Sequence, residues 1–203
     1  MEVRYSPDQN GFKRMTTEEL RKSFLIENLF IEDEIPMVYS DIDRSITGSA
    51  VPKNHSLKLI ATKKEMAAEY FCERREVGVI NIGAKGKIIL DGKEFIMNNK
   101  DALYIGRGTK EVEFLSDDSN NPAQFYFVSY PAHKEYPSKH ITYNDAIHRH
   151  LGAIETSNKR TIHQYILPEI LPTCQIAMGL TELEDGSVWN TMPAHTHQRR
   201  SEV

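Results

Sequence analysis

Residues 85–97 read KGKIILDGKEFIM, and the reading of this stretch decides the fold. Two apolar runs flank Asp91-Gly92. An Asp-Gly pair in that setting is a strong hairpin signal, because both central positions of a type I′ turn need positive φ. The stretch therefore predicts two antiparallel strands joined by a two-residue turn. Working outward, MVYSDIDRSITGSAVP (37–52), HSLKLIAT (55–62), EVGVINIG (76–83) and EVEFLS (111–116) are short runs rich in Val, Ile and aromatic residues, punctuated by Gly, Pro and Asp. Many short strands at tight spacing imply an all-β sandwich or jelly roll. A second Asp-Gly pair, Asp185-Gly186, recurs in GLTELEDGSVWNTM (179–192).

One short helix precedes the strands. In MTTEELRKSFLIENLF (15–30) Thr16 can accept from the amide of Glu19 while Glu19 reaches back, a capping box, and Leu20 and Phe24 then share a face. Residues 131–160 carry weak periodicity and several polar and Pro positions, so they are expected to connect two β units. The expected division is 1–150 for the first unit and 151–203 for the start of a second.

The totals bound the function. A chain of 203 residues can bury a proper core without staples. With 25 Lys and Arg against 29 Asp and Glu, no strong field favours nucleic acid or an anionic membrane. Cys72 and Cys174 fit neither a disulfide framework nor a C-x-x-C pattern, which suits a reducing compartment. The N-terminal MEVRYSPDQNGFKRM has no apolar h-region, and no stretch approaches the roughly 18 apolar residues of a membrane span. A cytoplasmic protein is expected, acting on a small molecule.

The chemistry concentrates in HTHQRRSEV, residues 195–203. On a strand, residues i and i+2 point to one side, so His195 and His197 can converge on one point; on a helix they would diverge. Pro193 just before them argues for the strand. Glu202 has the opposite parity, so residues 198–201 must turn or bulge to bring its carboxylate back. Two imidazoles and a carboxylate suit Zn²⁺, Mn²⁺, Fe²⁺ or Ni²⁺. H-x-H alone would sooner describe two solvated histidines; the glutamate and the β setting reverse that and favour the metal reading. Arg199 could clamp a substrate carboxylate, although a structural role fits as well. HRH at 148–150 has no matching carboxylate and is expected to be solvated, Cys174 to be a core residue, and Trp189 to be core or pocket wall. No general base can be named.

Residues 70–80, YFCERREVGVI, echo residues 195–203 through two arginines, a glutamate and a valine. In the echo Tyr70 and Cys72 stand where His195 and His197 do, so the first unit lacks metal-type ligands. The echo also predicts that a strand follows Val203, so the chain would stop inside a β unit.

H-x-H-x4-E is similar to the first metal motif of the cupin superfamily. MVYSDIDRSITG, RREVGVINIG, DALYIGRGTKEVEF, TSNKRTIHQYILPEILPTCQ and MGLTELEDGSVWNTMPAHTHQRRSEV resemble, more specifically, the 5-keto-4-deoxyuronate isomerases. The resemblance runs through essentially the whole chain. It implies a double cupin of two jelly-roll barrels, the C-terminal one incomplete here. It also implies a homohexamer and one zinc per subunit on His195, His197 and Glu202, with a fourth ligand, a histidine, beyond residue 203. The implied reaction is a ketol isomerisation interconverting 5-dehydro-4-deoxy-D-glucuronate and 3-deoxy-D-glycero-2,5-hexodiulosonate in pectin and polyuronate breakdown, by metal-assisted proton transfer through an enediolate. An iron-dependent cupin dioxygenase and a non-catalytic sugar-binding or assembly cupin stay open beside it.

Overall fold

A computed structural model describes residues 1–191, His195, His197, Glu202 and Val203. Its strands, in chain order, are β1 (Glu2–Arg4), β2 (Met37–Ser40), β3 (Ile46–Ala50), β4 (Leu57–Lys58), β5 (Arg75–Asn81), β6 (Gly86–Leu90) and β7 (Lys93–Met97). These are followed by β8 (Ala102–Ile105), β9 (Val112–Ser116), β10 (Phe125–Pro131), β11 (Lys139–Ile141), β12 (Ile147–Leu151), β13 (Arg160–Ile166) and β14 (Met178–Leu183). The helices α1 (Thr17–Phe24) and α2 (Lys63–Met66) are short. α1 starts on the expected capping box, yet it buries no side chain and Phe24 is 58% exposed. No helix among the described residues is long and apolar enough to cross a membrane.

The stretch at 85–97 is the expected hairpin. β6 and β7 pair antiparallel from Gly86↔Met97 to Leu90↔Lys93, with Asp91 at φ 49° and Gly92 at φ 84°. A seven-stranded sheet, ordered β1-β2-β3-β10-β5-β8-β11, faces a four-stranded sheet, β4-β9-β6-β7. The two enclose the main core without closing into one barrel. Phe125 and Phe127 point into that core beside Phe114, the Phe114 and Phe127 rings stacked at 6.3 Å.

The central sheet is buried on both faces. On β10, Val128 points away from Phe125 and Phe127, into a second core with Tyr104, Tyr165, Ile166, Leu171 and Ile176. That core lies under a three-stranded sheet, β12-β13-β14. Gly78 on β5 permits the close approach: a Cβ there would meet Met178 Sδ at 2.8 Å and Ile166 Cδ1 at 3.0 Å. The result is three β layers, so that strands of the middle sheet such as β5 are apolar on both sides.

Four expectations change. The segment 131–160 is not a bare connection, since it contains β11 and β12, and the boundary expected after residue 150 falls inside β12. HRH lies on β12, where His148 is half-buried and bonded to His163 rather than solvated. Cys174 is half-buried, with Sγ toward Lys134 O at 3.4 Å. Trp189 is 55% exposed. At Asp185-Gly186 the chain does turn, Gly186 taking φ 84° and Ser187 N donating to Glu184 O, but no strand follows it among the described residues.

Candidate functional site

The site begins where β14 ends. After the 184–187 turn, the amides of Val188 and Trp189 both donate to Ser157 O, at 2.9 and 3.1 Å, which ties the outgoing chain to the loop before β13. His195 and His197 then present their Nε2 atoms to each other at 2.9 Å, with ring centroids 4.8 Å apart. The two imidazoles thus converge through the same ring atom. The Glu202 carboxylate lies behind His197, with Oε1 2.6 Å from Nδ1. A carboxylate there accepts the Nδ1 proton and leaves the Nε2 lone pair of His197 outward, the tautomer that a metal ligand needs. Among the described residues, no group of three or more His, Cys, Asp or Glu side chains is arranged to hold a metal ion. The donor set nonetheless fits a borderline cation: two nitrogens face one point and a carboxylate orients one of them. Arg199 lies outside the described residues.

Glu202 and Val203 also line a cavity of about 660 Å³ against the outer face of the middle sheet, together with Asp43, Tyr126, Gln175 and Thr181. Burial, with a smaller contribution from Tyr130, pushes the Tyr126 phenol up to about 12, so it stays protonated. The lining mixes polar groups with tyrosine hydroxyls, which suits a small hydroxylated ligand.

Two buried groups that the echo brings into view hold the framework. Arg75, lowered to about 10 by burial, donates to Ser129 Oγ (3.0 Å), Ser129 O (2.8 Å) and Arg44 O (2.7 Å). Its work is structural. Glu76 is fully buried, and its carboxylate accepts from the amides of Cys174, Gln175 and Ile176 at 2.9, 2.6 and 3.0 Å and from Tyr104 Oη at 2.7 Å. It thereby pins the strap that leads into β14 onto the middle sheet. Cys72 lies in the main core, and burial pushes its thiol up to about 12, so it is not a nucleophile at neutral pH.

The layered β architecture and the paired imidazoles define an all-β protein with a candidate metal centre. Residues 30–203 match the KduI/IolB family, and the chain belongs to that family. It is 52% identical over 203 residues to a 4-deoxy-L-threo-5-hexosulose-uronate ketol-isomerase of Caldicellulosiruptor bescii, covering all of this chain and 73% of that protein. Proteins of the same name from Halalkalibacterium halodurans and Lachnoclostridium phytofermentans are 51% and 52% identical over the same shares. Among solved structures, an IolB-like protein from Salmonella typhimurium LT2 superposes with a TM-score of 0.51 at 16% identity, covering 70% of this chain and 52% of that one. That likeness bears on the fold alone.

Proposed function

We propose that the chain is a ketol-isomerase interconverting 5-dehydro-4-deoxy-D-glucuronate and 3-deoxy-D-glycero-2,5-hexodiulosonate. The observation that carries the reading is identity above half along the whole chain to relatives named for this activity. The reaction needs no outside oxidant or reductant: a proton leaves C2, a proton returns at C1, and the carbonyl moves from C1 to C2. His195 and His197 would hold a zinc ion in this reading, and Glu202, the carboxylate of the set, would keep His197 in the ligating tautomer. When bound, zinc supplies Lewis-acid polarisation of the substrate carbonyl and the neighbouring hydroxyl. The Tyr126 hydroxyl remains a neutral donor beside the cavity and can orient a hydroxylated substrate there. In the same reading Arg199 takes the substrate carboxylate, and the protein works in the cytoplasm as a homohexamer on products of pectin-type polyuronate cleavage.

The test supplies the keto-uronate, prepared with a polyuronate lyase, to the zinc-loaded protein and follows the product by NMR. Equal turnover with and without oxygen, lost in His195→Ala, is expected. Consumption that needs oxygen would point to an iron-dependent dioxygenase and overturn the proposal, as would no consumption at all.

A further inference from the structure

A second cluster of histidines lies away from His195 and His197, on the three-stranded sheet. His148 on β12 and His163 on β13 are directly opposed across the strands, and their Nδ1 atoms are 2.7 Å apart. On its other side, His163 Nε2 is 2.7 Å from Glu182 Oε2 on β14, and Lys100 holds the remaining carboxylate oxygen at 2.5 Å.

This order of groups fixes the protons. The Glu182 carboxylate, ion-paired with Lys100, accepts from Nε2 of His163, so a ring protonated on that nitrogen alone turns an Nδ1 lone pair toward His148. The proton in the contact then belongs to His148, and moving it to the far nitrogen of that ring leaves two lone pairs facing each other. No net deprotonation is needed. His163 is 1% exposed, with Tyr143 against both rings at centroid distances of 4.9 and 5.0 Å, so the orientation of the pair is fixed by packing.

We propose that His148 and His163 form a second site for a transition-metal cation of the Zn²⁺ or Cu²⁺ type, with Glu182 as the carboxylate that orients His163. The two nitrogens would move from 2.7 Å to the ~3.3 Å that tetrahedral bonds of about 2.0–2.1 Å require. An open groove of about 680 Å³, lined by His148, His150, Thr161, His163, Glu182 and Asp185, leaves room for water at the other positions. His150 follows His148 by two residues, on the same side of β12, but its Nδ1 lies 2.9 Å from Thr161 Oγ1 and it stays outside the pair. The bound cation ties the edge strand β12 to β13. The site is independent of the isomerase reading.

The experiment measures Zn²⁺ binding by equilibrium dialysis to the full chain carrying His195→Ala and His197→Ala. One zinc per chain is expected to remain. Adding His148→Ala or His148→Asn to that background removes it, and adding Glu182→Gln weakens it by roughly 10- to 100-fold. His148→Asn keeps a polar group toward His163, so a parent-like melting curve separates lost ligation from lost folding. Cu²⁺ loaded on the same background shows two or more nitrogen ligands by electron paramagnetic resonance. No zinc on the His195/His197 double variant, or zinc that persists unchanged after His148→Ala, overturns the site.

Discussion

The Glu76 carboxylate on β5 accepts the backbone N–H of Gln175 at 2.6 Å, ninety-nine positions along the chain. This contact fastens the strap ahead of β14 to the middle sheet. Three consecutive amides, of Cys174, Gln175 and Ile176, converge on one buried carboxylate, and the Tyr104 hydroxyl completes the set. The Tyr104 phenol is raised by burial and by its bond to Glu76, so it stays a donor. Glu76→Ala leaves four donors, two of them fully buried, without their acceptor, at a cost of about 3–5 kcal/mol. In a chain of this size the melting temperature should fall by roughly 10 °C or more. Glu76→Gln, whose amide turns an N–H toward the same donors, should fall between the two. A Glu76→Ala melting curve that overlays the parent would show that the strap is held by its apolar contacts alone.

How much of this was legible in the sequence follows from how local each feature is. The 91–92 turn and the α1 capping box are set by residues a few positions apart, and both are where the pattern puts them. His195 and His197 could be singled out because a spacing of two has one meaning on a strand. The Glu76 clasp and the His148–His163 pair had no such signal. Their partners meet only through strand register and layer stacking, which a single chain's periodicity does not encode. β11 and β12 were hidden in a stretch read as a connection because they are short and their exposed residues give little apolar contrast. A buried glutamate in the apolar run of β5 was the one available hint of a polar clasp.

Gly78 tests the packing of the second core. A methyl group there would meet Met178 Sδ, Ile166 Cδ1 and Ile176 Cγ2 at 2.8, 3.0 and 3.3 Å. These are ends of flexible side chains, so the structure can yield at a price of about 1–3 kcal/mol. Gly78→Ala should loosen the three-stranded sheet while the main core stays intact. Hydrogen exchange should then quicken at β13 and β14 and stay slow at β6 and β9. Uniform quickening in all three layers would mean that the layers unfold as one unit.

Asp33 sets part of the acid limit. Its carboxylate accepts from the Lys53 and Asn54 amides and the Asn54 side chain, and the Asn54 backbone bond leads in holding it down to about 2. A carboxyl lowered on folding contributes stability above its unfolded value, near 3.9, and that stability is lost as pH falls through the folded value. The loss therefore belongs between about pH 4 and pH 2. Asn tolerates the positive φ of 59° found at position 33, so Asp33→Asn changes the charge and keeps the turn. Urea midpoints should converge for parent and variant as pH drops through that window. A constant offset from pH 7 to pH 2 would refute the assignment.

The pairing of His197 with Glu202 predicts how the metal is lost. Removing a ligating imidazole abolishes the site, whereas removing a carboxylate that orients one weakens it by roughly 10- to 100-fold. In the structure Glu202 Oε1 contacts the ring atom of His197 that faces away from His195. His197→Ala should therefore lose zinc and turnover together, at least 100-fold in kcat/KM. Glu202→Gln, which still accepts the Nδ1 proton through its amide oxygen, should keep activity at saturating zinc and lose it on dilution of the metal. A chelator should stop turnover in the parent, and added zinc should restore it. If Glu202→Gln is as dead as His197→Ala even at high zinc, the carboxylate binds the metal directly. In that case the contact with Nδ1 gives way to direct ligation when zinc enters.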